Sequence, residues 1–179
     1  VISFTTPDNT VPNFASGYPY MSKITSTSGQ VTTMATKSCR LYWAVLPKGA
    51  SAPTANDFKA NAVSGNLGFG TLDVTKNVSN TFDVNNVPLE ELESYDLYLW
   101  LTDVDGGQSS AVKKVSFTTV DGTPPRFNTN PTVNKVNATS VGLYANLNEA
   151  GTLYWVVVKE GEEYPKPLAG QSGKVDLSS

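Results

Sequence analysis

The sequence predicts an all-β protein built of Greek-key β-sandwich units in tandem, with a repeat period of about 113. Three observations predict it. Short, alternating runs rich in Thr and Val are broken by Gly, Asn, Ser and Pro, which is how strands and turns read. The same landmarks return in the same order at a nearly constant offset, Ile2 as Val115 and Leu41 as Leu153. Tyr95 opens the alternation Tyr95, Leu97, Leu99, Leu101, with Leu89 upstream, which is the pattern of a tyrosine corner.

Along the chain, strands are expected at 20–25, 30–36 and 40–46, then 71–75, 81–87, 95–102 and 111–119. Seven strands at this spacing argue for a Greek-key sandwich. Thr54-Ala55-Asn56-Asp57 places a hydroxyl three residues before an acid, a capping-box pattern that predicts a short helix over about 55–60. Alternation puts Tyr95, Leu97, Leu99 and Leu101 inside, and Asp96, Tyr98, Trp100 and Thr102 outside. On the strand at 40–46, Leu41, Trp43 and Val45 are expected inside and Tyr42 outside.

The self-similarity is specific. Ile2-Ser3-Phe4-Thr5-Thr6, followed by Asp8, Thr10, Pro12 and Phe14, returns as Val115-Ser116-Phe117-Thr118-Thr119 with Asp121, Thr123, Pro125 and Phe127. Leu41-Tyr42-Trp43 returns as Leu153-Tyr154-Trp155. The expected organisation is the last strand of one repeat and a linker at 1–11, a complete sandwich at 12–121, and the first half of the next repeat at 122–179. That half would carry about three strands with an apolar face of Val141, Leu143, Ala145, Leu147, Leu153 and Trp155. Self-association through 1–6 and 141–158 is one expected way to cover it.

Composition restricts the chemistry. There is no histidine, so a His base, triad or metal ligand is excluded. The single cysteine, Cys39, reads as a buried strand residue and cannot form an internal disulfide. A net charge of −3 with no basic block argues against nucleic acid. The longest apolar run, 153–158, is too short to span a bilayer, so no membrane insertion is expected. Glu90, Glu91 and Glu93 cluster on an exposed corner rather than across a cleft, and no enzyme is expected.

Several segments together carry a family resemblance. They are Leu46-Pro47-Lys48-Gly49 after a Tyr-Trp strand, Tyr95-Asp96-Leu97-Tyr98-Leu99-Trp100, Asp103-Val104-Asp105-Gly106-Gly107, Val115-Ser116-Phe117-Thr118-Thr119 and Asp121-Gly122-Thr123-Pro124-Pro125. They resemble the fibronectin-type-III-like or immunoglobulin-like tandem repeats of bacterial cell-surface proteins of the S-layer-homology type. The resemblance implies secretion to the cell surface or wall, neighbouring repeats as partners, and a non-catalytic structural or spacer role. It supplies no catalytic residues. Trp100 on the outer face departs from it. The alternative role is an adhesive module for carbohydrate, such as cell-wall polysaccharide, or for protein.

Two candidate sites follow from the residues. The linker bearing Asp8 and Asn9 should approach the loop bearing Asp103 and Asp105, and these hard oxygens at alternate spacing are candidate calcium ligands. Asp and Gly are also ordinary turn residues, and no other cofactor is expected. Tyr42, Tyr98 and Trp100 on adjacent strands form a candidate ligand-binding face. Cover by the helical segment after residue 46, cover by a neighbouring repeat, and cross-strand pairing are the competing arrangements.

Overall fold

A computed structural model of the chain describes residues 2–4, 6, 8–104, 107–157 and 173–177. The described residues form antiparallel β-sheets with one short helix, so the protein is all-β. The chain divides into two units, Val1–Gly122 and Thr123–Ser179.

The first unit holds β1 (Tyr20–Ser22), β2 (Gly29–Thr33), β3 (Cys39–Pro47), α1 (Ala55–Lys59), β4 (Gly68–Val74), β5 (Asn80–Val84), β6 (Ser94–Thr102) and β7 (Lys113–Thr118). One sheet runs β1-β2-β5 and the other β4-β3-β6-β7. Both contribute to one buried cluster: Val31 and Val84 from the first, Leu41, Val45, Leu97, Leu99 and Leu101 from the second. Period-2 alternation is the cause, since residues two apart on a strand share a face.

The other face of β3 and β6 is also covered. Ala44, Leu46, Tyr98 and Trp100 form a second cluster with Phe58 of α1 and Val63 beyond it. Phe58 stacks on Trp100 at a centroid separation of 6.1 Å and an interplanar angle of 12°. The helix starts where expected. Thr54 Oγ1 accepts from Asp57 N, and the Asp57 carboxylate accepts from Thr54 N at 2.7 Å, so two helix-end donors are satisfied locally. A five-residue helix is too short to hold itself in water, so its stability comes from Phe58 and the buried aromatic face.

Trp43 lies on the inner face, half-buried, stacked on Phe82 at 5.6 Å. Its register partner is Gly70, where a Cβ would stand 2.6 Å from Trp43 ring carbons. The absence of a side chain at 70 is what admits the indole. Tyr95 completes the corner: its hydroxyl accepts from Glu90 N at 2.8 Å.

Among its described residues, the second unit, taken by itself, shows two antiparallel strand pairs. β8 (Phe127–Asn134) pairs with β9 (Gly142–Leu147), and β10 (Gly151–Trp155) with β11 (Gly173–Leu177). Its last strand, β11, was not among the three strands expected of it. The registers coincide with those of the first unit. Tyr20↔Thr32, Met21↔Val31 and Ser22↔Gln30 correspond, at one constant offset, to Thr132↔Tyr144, Val133↔Leu143 and Asn134↔Gly142. Lys23 and Lys135, at equivalent positions after these strands, both have φ 47°. Thr25 N donates to Ser28 O at 2.9 Å, and Asn137 N to Ser140 O at 2.8 Å. In β3–β4, Leu41 opposes Leu72 and Trp43 opposes Gly70; in β10–β11, Leu153 opposes Val175 and Trp155 opposes Gly173.

Candidate functional site

The described residues of the two predicted sites lie on the first unit. At the pole where β2 has ended and β6 ends, Lys37 stands among the oxygens expected to face a metal. Its Nζ lies 3.2 Å from Asp8 Oδ2 and 3.0 Å from Asp103 Oδ1. It donates to Asp103 Oδ2 at 3.1 Å, to Thr10 O at 3.0 Å and to Asp8 O at 3.4 Å. The contact to Asp103 Oδ1 has ion-pair distance without hydrogen-bond geometry, so Oδ2 takes the bond. Asn9 Oδ1 is engaged by Gln108 Nε2 at 2.6 Å. Of the oxygens expected to face calcium, those of Asp8 and Asp103 are thus engaged by the Lys37 ammonium and that of Asn9 by Gln108. Asp105, the fourth expected ligand, lies outside the described residues.

The electrostatics are those of a tether. Asp8 is held down to about 2, chiefly by hydrogen bonds from Thr10 and then by Lys37. Thr10 N donates to Asp8 Oδ1 at 2.9 Å, a local turn of the kind Asp favours. Burial works against the Lys37 charge, but hydrogen bonds to Asp103 and Asp8 outweigh it, and the ammonium is pushed above its ordinary range. Asp103 is buried beneath this contact. The tether binds the segment 8–10 to the body of the unit through charge-assisted bonds, the stronger class of hydrogen bond.

The aromatic residues are brought together, but not on an open face. Tyr42 and Trp100 are register partners with ring centroids 5.5 Å apart. Tyr98 is buried and Trp100 is 0% exposed, so the expected solvent-facing platform is corrected. The cause is α1: Phe58 lies on Trp100, Lys59 Nζ stands 5.9 Å from its ring centroid, and Trp100 Nε1 donates to Ser110 O at 3.1 Å. Tyr42 stays half-buried beside a shallow cleft of about 320 Å³ that Arg40 and Lys59 also line. Arg40 is committed to its cross-strand partner Asp73, with Nε to Oδ1 at 2.9 Å.

Two further buried groups, Asp96 and Cys39, are held by their surroundings. Asp96 is buried on β6. Burial alone would raise its pKa, but bonds from Ser116, the Gly49 backbone and Lys114 hold it below the ordinary carboxylate value. Cys39 is buried, and burial pushes its thiol up to about 11, so it stays protonated and unreactive at neutral pH. Sequence reasoning missed Lys37. Its signal is positional: a lone cation after the strand at 30–36, at the pole where the acids gather.

No protein-family model matches the chain, and neither a curated protein nor a solved structure matches it. No helix among the described residues is long and apolar enough to cross a membrane.

Proposed function

We propose that the chain is made of fibronectin-type-III-like, immunoglobulin-like sandwich repeats and serves as a non-catalytic spacer in an exported bacterial surface or S-layer-type protein. The observation that carries this reading is the coincidence of the β1–β2 and β8–β9 pairing registers, down to the turn after each first strand. An array of like units needs like hairpins, and a spacer needs defined joints. The sheet orders β1-β2-β5 and β4-β3-β6-β7 and the Tyr95 corner support the sandwich. The tether of residues 8–10 by Lys37 supports the spacer role. These residues precede β1 just as Asp121 and Thr123 precede β8. A linker bonded to the domain body transmits direction, whereas a free one does not.

Surface exposure is the test that separates this role from others. Antibodies raised against the first unit should label intact cells of the source organism as strongly as permeabilised ones. Labelling that requires permeabilisation would contradict export.

A further inference from the structure

The corner that carries Glu90, Glu91 and Glu93 lies against the chain that leaves β7. Thr119 is buried there. Its hydroxyl donates to Glu90 O at 2.6 Å and accepts from Glu93 N at 3.0 Å, and its own N–H donates to Glu93 O at 3.0 Å. The Tyr95 hydroxyl, bonded to Glu90 N, fixes the same corner. Beyond Thr119 the chain stays attached to the unit. Val120 N donates to Thr25 O at 3.3 Å, and Gly122 N donates to Glu91 Oε2 at 2.9 Å. A Cβ at Gly122 would run into the Ser26 side chain, so the close approach to the turn at 25–28 needs glycine. Val120 and Gly122 are both exposed, so burial does not hold them; the bonds do.

We infer that the corner at 90–93 and the turn at 25–28 form a strap on the chain leaving the first unit, with Glu91 and Ser26 as its positioning residues. The unit then holds its exit segment at 119–122 as Lys37 holds its entry segment at 8–10. The two holds are not interchangeable. At the offset that takes Asp8 to Asp121, Val120 and Gly122 correspond to Pro7 and Asn9. Proline has no N–H to give to a carbonyl, and asparagine brings the Cβ that Gly122 lacks. The strap is therefore written into residues 120 and 122, not into the acids that the two segments share. This inference deepens the spacer reading and rests on it for what the strap is for, while the strap itself rests on the bonds.

Heteronuclear relaxation on the full chain is the test. Order parameters at Val120 and Gly122 should match those of β6, about 0.85, and should fall below about 0.6 with Glu91→Ala, while β6 and residues 8–10 keep theirs. Gly122→Ala should lower the order of 120–122 in the same way, and adding Ser26→Gly should restore it, a recovery that general damage to the fold would not show. Low order at 120–122 in the natural chain overturns the inference, and so does unchanged order with Glu91→Ala. Gly122→Ala without effect, or with an effect that Ser26→Gly does not reverse, also overturns it. If the strap holds by these measures while antibodies label only permeabilised cells, the strap stands and the export reading alone fails.

Discussion

The hairpin β1–β2 and the hairpin β8–β9 have the same register, the same left-handed lysine after the first strand and the same turn bond, yet opposite burial. Met21 and Val31 pack in or against a core, whereas Val133 is 62% and Leu143 is 45% exposed. The difference shows which features of a β-unit are local. Turn chemistry and alternation set the register within a short stretch of chain. Burial is set by strands far away in sequence, β5 to β7, which only the first unit shows among the described residues. An isolated hairpin is marginal in water, because it buries too little apolar surface to offset its ordering.

The largest expected difference between the units is at their aromatic and leucine positions. Trp100→Ala, which empties the second cluster beneath α1, should destabilise the first unit by about 3–5 kcal/mol in urea unfolding. Leu41→Ala should cost about 2–5 kcal/mol, whereas Leu153→Ala at the equivalent strand position should change unfolding of the first unit within about 0.5 kcal/mol. Equal effects from Leu41 and Leu153 would break the comparison.

A smaller effect is expected where Trp and Gly face each other. Gly70→Ala drives a methyl into the Trp43 ring and should cost about 1–3 kcal/mol, read as a lowered urea midpoint. Gly173 opposes Trp155, which is 45% exposed and lies in the second unit, so Gly173→Ala should leave the first unit's midpoint unchanged. Tyr95→Phe removes only the hydroxyl bonded to Glu90 N and should cost about 0.5–1.5 kcal/mol in the same measurement.

The smallest effect is on the tether. Asp8 titrates at about 2 in the folded chain, below its ordinary 3.8, so its contribution is present above 3.8 and is lost as pH falls through about 2. Lys37 is raised above its ordinary 10.5, so its contribution is full below 10.5 and is lost as pH rises through the raised value. Order of residues 8–10, read by heteronuclear relaxation, should therefore be flat between about pH 4 and pH 10. Lys37→Met should lower that order at neutral pH while leaving β2 and β6 unchanged. A pH-dependent loss of order near neutrality would contradict the tether.

Much of the first unit was legible because its signals are local. The phase of β6 follows from Tyr95 and three alternating leucines, and the start of α1 follows from Thr54 and Asp57. Covering of Trp100 by the helix was one of several open arrangements, since it depends on where Phe58 docks in three dimensions rather than on any neighbour in sequence. Lys37 was missed because a long side chain reaches oxygens on Thr10 and Asp103, both remote in sequence, which no spacing rule records. Strand β11 was missed for a simpler reason. Gly70-Thr71-Leu72-Asp73-Val74 returns as Gly173-Lys174-Val175-Asp176-Leu177, but at a shorter offset than the other landmarks, because the segment before it is shorter than its counterpart. A comparison held at one fixed offset passes over it.

Cross-strand nuclear Overhauser contacts within β10–β11 test most directly whether the second unit repeats the pairing of the first. The expected result places Leu153 opposite Val175 and Trp155 opposite Gly173, matching Leu41 opposite Leu72 and Trp43 opposite Gly70. A register displaced by one residue, which would put Trp155 opposite Lys174 and turn Leu153 to the other face, would contradict it.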